Sequence, residues 1–398
     1  MVIEIIIAVL LGIFIGIFTG LAPGIHINLV SVVLLSISPV LLTYLSALSL
    51  AAFIMAMSIT HTFLDTIPSI YLGAPDDAKA MGVLPGHRML LKGKGYAAVH
   101  LTIFGSFGGL LLSILLIPIL FKIFTFIYPL VKDYVGYFLL IIVLVMILRD
   151  KLKLWALFLF LLSGTLGIIV FSMPNLSEPL LPLLSGLFGV STLLLSFMEK
   201  TNIPKQEIKK PKIDLTVAAK AIGSSTFAGA LISFLPGLGP AQGALVAQTI
   251  TKDLGDEGFL MLVGGIGTVG MMISLVTLYV LQKARNGSVI AISKLIELSF
   301  SQFLILLFVS LITGVICIFL TLYVAKKFSA LITKVNYKLI ISVVILFVTL
   351  LVFLLSGWIG LLILMTSTAI GIIAPLTGTQ RSHAMGCLIL PVILYFLL

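Results

Sequence analysis

The sequence predicts an all-α protein that crosses a membrane many times. Of its 398 residues, 60% are hydrophobic and only 10% are charged, and the mean hydropathy is +1.29. A soluble domain carries about a quarter charged residues. Apolar runs approaching or exceeding the roughly 20 residues that cross a bilayer recur along the whole chain.

The spans expected in the first half are 2–21, 24–42, 43–64, 96–120, 134–149, 154–173 and 179–198. In the second half they are 214–235, 240–252, 259–281, 300–325, 338–356, 357–373 and 384–398. The segment 240–252 is too short to cross alone. Met1-Val-Ile-Glu-Ile has no basic n-region, so the start reads as a first membrane helix, not a cleaved leader.

A basic linker, 199–213, separates an N-terminal membrane repeat, 1–198, from a C-terminal one, 214–398. Each half opens with a helix that runs into a Pro-Gly break, and then a Ser/Thr/Gly-rich helix leads into a polar stretch. Near the end of each, Leu166-Gly-Ile-Ile169 matches Ile370-Gly-Ile-Ile373. A Pro-containing interruption lies close by, at Pro174 and at Pro375. This order predicts an internal duplication, two repeat halves of inverted topology with broken helices or re-entrant hairpins at the breaks.

The breaks are Leu21-Ala-Pro-Gly-Ile-His-Ile-Asn28 and Phe234-Leu-Pro-Gly-Leu-Gly-Pro-Ala-Gln242. Proline lacks the amide donor and clashes with the preceding turn, and glycine lowers helix propensity. Inside a bilayer the freed backbone groups need protein, water or a ligand. Paired breaks in matching places point to a secondary transporter's binding site. The N-terminus of each following helix favours an anion. Pro23, Gly24, His26, Asn28, Pro236, Gly237, Gly239 and Gln242 are therefore the candidate substrate-binding residues. The plainer alternatives are a capping role for His26 and close helix packing for the glycines.

Ser58-Ile-Thr-His-Thr-Phe-Leu-Asp65 ends an apolar helix with Thr60, His61, Thr62 and Asp65. An ionisable residue at membrane depth is a functional candidate, so Thr60 and Asp65 are read as the pair for a coupling cation. At the interface, Asp65 would merely be solvated. Arg88 is the candidate anion contact of the polar stretch 72–95, whose lysines otherwise anchor a loop. Arg381 and His383 stand in the C-terminal interruption, either in a loop or touching substrate.

Several classes are excluded. The net charge of +10 sits in short clusters, as the positive-inside bias produces, and no basic domain exists to hold nucleic acid. Gly264-Gly-Ile-Gly-Thr268 lacks the Lys-Ser/Thr of a P-loop, so nothing points to ATP-driven transport by this chain. Asp76-Asp77 has no second acidic cluster, which argues against a prenyl-transfer enzyme. Cys317 and Cys387 lack metal-ligand spacing. No cofactor is implied beyond a Na⁺ or H⁺ gradient.

Four ordered stretches resemble the TctA family, the large permease subunit of tripartite tricarboxylate transporters. They are the two Pro-Gly breaks, Leu72-Gly-Ala-Pro75 with Gly86-His-Arg-Met89, Lys92-Gly93 and Ser106-Phe-Gly-Gly109, and Gly186-Leu-Phe-Gly-Val-Ser191. The resemblance implies a multi-pass permease of the cell membrane. It also implies a small membrane subunit and an external binding protein as partners. Together these readings predict a secondary transporter of an organic anion, a di- or tricarboxylate, and not an enzyme. The alternative is a translocase of a polyprenyl-phosphate carrier through the same site.

Overall fold

Apolar residues on every face leave these segments one way to satisfy their backbone in lipid, which is to coil. In the computed structural model every regular element among the described residues is helical. The structure describes all residues except 1, 23–26, 73–82, 132–133, 175, 177–178, 199–203, 235–239, 252–253, 285 and 333–336.

The first half comprises α1 (Val2–Leu21), α2 (Ile27–Leu41), α3 (Ala47–Leu64), α4 (Thr66–Leu72), α5 (Val83–Leu91), α6 (Gly95–Val131), α7 (Val135–Arg149) and α8 (Lys153–Ser172). It continues through α9 (Leu180–Leu184) and a π-helical segment (Ser185–Val190) into α10 (Ser191–Met198). The second comprises α11 (Leu215–Phe234), α12 (Pro240–Ile250), α13 (Gly255–Leu281), α14 (Gly287–Leu295), α15 (Phe300–Ile332) and α16 (Tyr337–Thr377). A 3₁₀ turn (Arg381–Met385) then leads into α17 (Gly386–Leu397). Among the described residues, 8 helices are long and apolar enough to cross a membrane. The protein is a multi-pass helical membrane protein.

Two differences from the expected spans have physical causes. The 41-residue α16 is one run interrupted at Gly357, whose backbone (φ 62°, ψ −158°) only glycine adopts readily. That bend falls at the boundary between the two spans expected there. The helices α5 and α14 were not expected, because both lie in stretches rich in turn-forming and polar residues. The Asn286 side chain caps α14 by accepting from the Ser288 N–H at 2.9 Å.

The core lies around α3–α4 and α13. Of their apolar windows, 89% and 94% respectively are buried, against 22% for α16. Glycines let the backbones meet there. On α1, Gly12, Gly16 and Gly20 form one stripe against α3. A Cβ at these positions would lie 2.4 Å from the Phe53 oxygen, 2.6 Å from Thr60 Cβ and 2.9 Å from Leu64 Cβ. Such small-residue stripes are how membrane helices approach closely. The order of contacts also shows that α1 and α3 run in the same direction.

The same device joins α6 to α13. A Cβ at Gly105 would lie 1.8 Å from the Met261 oxygen, and Ser106 Oγ donates to the Gly264 carbonyl at 2.9 Å. Gly264 and Gly265, first noticed as a Gly-rich run, are thus packing residues. Part of the basic linker is also fixed in place. Gln206 is buried, accepts from the Gly95 N–H at 2.9 Å and donates to the Leu90 carbonyl at 3.0 Å.

Candidate functional site

The first Pro-Gly break lies between the end of α1 at Leu21 and the start of α2 at Ile27. The second lies between Phe234 and Pro240. Pro23, Gly24, His26, Pro236, Gly237 and Gly239 lie outside the described residues, as do Asp76 and Asp77. Asn28 falls in the first turn of α2 and Gln242 in the first turn of α12, where their backbone alone is described. Pro240 is the first residue of α12, the position where its missing N–H costs nothing.

The described end of α1 packs on a polar, buried part of α3. Because α1 runs alongside α3, Gly20 packs on Leu64 and His61 just before the chain leaves α1. His61 Nδ1 lies 3.2 Å from Thr19 Oγ1 of α1. Asp65 comes one turn after His61, on the same side of the helix, at the level where the break begins. Its carboxyl is buried in the joint between α3 and α4. The joint exists because Pro68 has no N–H to offer the Leu64 carbonyl. The Asp65 N–H still reaches the His61 carbonyl at 2.9 Å.

Thr60 and Asp65 are both buried, but they do not share a face. Five residues on an α-helix turn through about 140°. The Thr60 hydroxyl donates to the Ala56 carbonyl at 2.8 Å and receives Cys317 Sγ of α15 at 3.4 Å. Thr62 points elsewhere again, with its hydroxyl 3.1 Å from Thr268 of α13. Three consecutive residues of α3 thus touch α1, α13 and α15 through Thr and His side chains.

Arg88 stands apart from this cluster. It is 57% exposed and pairs with Asp256 at 2.5 Å, at the start of α13. Its charge is already matched by a carboxylate at the surface.

A second polar cluster was only half visible in the sequence. His383, fully buried in the 3₁₀ turn, places Nε2 at 2.8 Å from Asp150 Oδ2. Asp150 also accepts from the N–H groups of Leu152 at 2.8 Å and Gln380 at 3.3 Å. Burial pushes this carboxyl up, but those donors and the imidazole outweigh it and hold it below its ordinary value. Arg381, two residues before His383, donates to the Thr192 hydroxyl on α10. Asp150 went unnoticed because Arg149, Lys151 and Lys153 surround it and make it look like a loop charge. Its one distinguishing signal is its negative sign within a basic cluster.

Comparison with known proteins agrees with the helical framework. The sequence profile described as "Tripartite tricarboxylate transporter TctA family" matches residues 6–386. An uncharacterized protein of Methanocaldococcus jannaschii is 31% identical over 387 residues, covering 94% of each chain. No solved structure matches.

Proposed function

The chain belongs to the tripartite tricarboxylate transporter TctA family, and from that premise we propose that it is a secondary transporter of an organic anion. The substrate is a di- or tricarboxylate moved through the cell membrane by a Na⁺ or H⁺ gradient, with no enzymatic step. The observation that carries this reading is the buried Asp65 with His61 and Thr19, beside a break in an apolar helix. A carboxyl at membrane depth is costly unless it works with a cation or proton. A broken helix supplies unpaired N–H groups for an anion.

The reading includes an inverted relation between the two halves. The order α1, α2, α3, α5 and α6 recurs as α11, α12, α13, α14 and α15, with comparable lengths. The pair α7 and α8 recurs as the two parts of α16. Contacts between the halves are reciprocal. A Cβ at Gly167 would meet the Cys387 oxygen at 1.9 Å, and one at the matching Gly371 would meet the Leu187 oxygen at 2.3 Å. Likewise Gly386 abuts Ser163 and Gly186 abuts Ser367. Ser163 donates to the His383 carbonyl at 3.4 Å, and Ser367 to that of Pro182 at 3.0 Å. Residue i touching j′ while i′ touches j is the signature of a two-fold relation.

Direction follows from the same contacts. Thr66 donates to Thr102 at 2.8 Å, and a Cβ at Gly95 would lie 3.1 Å from the Tyr71 ring. Hence α6 runs against α3–α4. Gly105 faces Met261 and Gly109 faces Val269, so α6 runs with α13. The matched helices α3 and α13 are therefore antiparallel, as inverted topology requires.

In this mechanism the amides around Gly24–His26 and Gly237–Gly239 hold the anion, and Asn28 and Gln242 orient it. Asp65 binds the coupling cation, whereas Thr60 faces α15 on another side of the helix. Rocking of one repeat against the other opens the site to each side in turn. A small membrane subunit and an external binding protein deliver substrate. Thermal-shift titration of the purified protein with di- and tricarboxylates, with and without Na⁺, tests this. Stabilisation that depends on both ligands supports it, and indifference to every carboxylate would refute it.

A further inference from the structure

A cationic side chain inside the protein would add to the broken-helix amides in holding an anion, and Arg88 is already neutralised by Asp256 at the surface. Arg381 is different. It is partly buried in the 3₁₀ turn after the α16 interruption, and its one hydrogen bond among the described residues goes to the neutral Thr192 hydroxyl. Thr192 cannot balance the charge, and its own proton goes to the Phe188 carbonyl at 2.5 Å. The neighbouring carboxylate, Asp150, is committed to His383, Leu152 and Gln380. Among the described residues no carboxylate forms an ion pair with Arg381.

A guanidinium withdrawn from water needs charge-assisted bonds in return, and a hydroxyl supplies little of that. Two further observations mark the place. Thr192 stands just after the π-helical segment Ser185–Val190 and directly follows the run Gly186-Leu-Phe-Gly-Val-Ser191, and π-helical turns recur at functional sites. The 3₁₀ turn also packs on α12, the helix that follows the second Pro-Gly break.

We propose that Arg381 is the cationic contact for the transported anion, held in place by Thr192. It receives one carboxylate or phosphate group through the paired N–H donors of its guanidinium. This rests on the organic-anion reading and adds to it the residue that supplies the positive charge. It also explains why the C-terminal interruption carries Arg381 where the first half has only the Pro174–Pro182 stretch.

The test is a thermal-shift titration of the purified full chain in detergent. The probes are citrate, succinate, inorganic phosphate and a short-chain polyprenyl phosphate. The wild-type protein should be stabilised by at least one of them. R381Q should weaken that affinity about tenfold or more, the scale of a lost charged hydrogen bond. R381K, which keeps the charge but not the fork, should fall between. R149Q, at an exposed arginine bonded to the Thr249 carbonyl, should match wild type. Equal affinity in R381Q and wild type would overturn the proposal while leaving the transporter reading intact. If R381Q does not fold, unchanged affinity in R381K would overturn it. A wild-type protein stabilised by none of the probes would remove the organic-anion reading and this proposal with it. Stabilisation by the lipid phosphate alone, lost in R381Q, would keep Arg381 as the anion contact and assign the source to a lipid head group.

Discussion

Thr62 on α3 and Thr268 on α13 place their hydroxyls 3.1 Å apart, joining the two most buried helices of the two halves. The bond joins the helices on which the segments preceding the two Pro-Gly breaks pack, α1 on α3 and α11 on α13. Thr62 also donates to the Ile59 carbonyl at 2.9 Å, so Thr268 is the partner more dependent on the pair. T62V should cost about 1–2 kcal/mol, the penalty for leaving a buried hydroxyl without its partner. T62V/T268V should cost less than the sum of the single changes, since removing both hydroxyls leaves nothing unpaired. Unfolding in mixed detergent micelles measures each term.

The reciprocal glycine contacts should be intolerant of even one methyl group. G167A and G371A place a Cβ within 2.3 Å of a backbone oxygen, which cannot move without shifting a helix. Each should lower stability by at least about 1–3 kcal/mol or prevent folding. G223A has open space and should be neutral or stabilising by about 0.5–1 kcal/mol. Folded yield by size-exclusion chromatography separates the two classes.

The Asp150–His383 pair sets an acid limit on stability. The folded carboxyl is held below its ordinary value, so its contribution is complete above about pH 4 and fades as pH falls through that lowered value. D150N removes the carboxylate that accepts from the buried His383 and should cost about 1.5–3 kcal/mol at neutral pH, the scale of a hydrogen bond to a charged group. Its melting temperature should also vary less with pH between 3 and 5. A wild-type profile as flat as that of D150N would show that the pair does not titrate with folding.

The Arg88–Asp256 pair should contribute little to stability, because exposed ion pairs are worth about 0–1 kcal/mol. R88Q should therefore melt within a degree or two of wild type. A large loss of substrate affinity in R88Q would restore Arg88 as an anion contact.

Membrane class and helical content were legible because hydropathy is a property of composition and run length. The Gly357 bend was legible as a boundary between spans, since glycine interrupts apolar helices. The helices α5 and α14 were not, because tertiary packing overrides the weak propensity of Pro85-Gly86 and Asn286-Gly287. At the candidate site, Asp65 and His61 could be picked out by their type and spacing. Their separation from Thr60 around the helix could have been drawn from the same spacing. The buried state of Asp65 and the partners Thr19, Thr268 and Cys317 could not, because they come from helices distant in sequence. Asp150 was hidden for a similar reason, since its partner His383 lies 233 residues away.

The central claim is that this chain moves an organic anion with a coupling cation. Uptake of labelled di- and tricarboxylates into proteoliposomes, under an imposed Na⁺ or proton gradient, tests it most directly. The expected result is gradient-dependent accumulation that is weakened in N28A and Q242A and uncoupled from the gradient in D65N, with all three proteins inserting normally. Accumulation of no carboxylate under either gradient, or wild-type kinetics in all three variants, would contradict it.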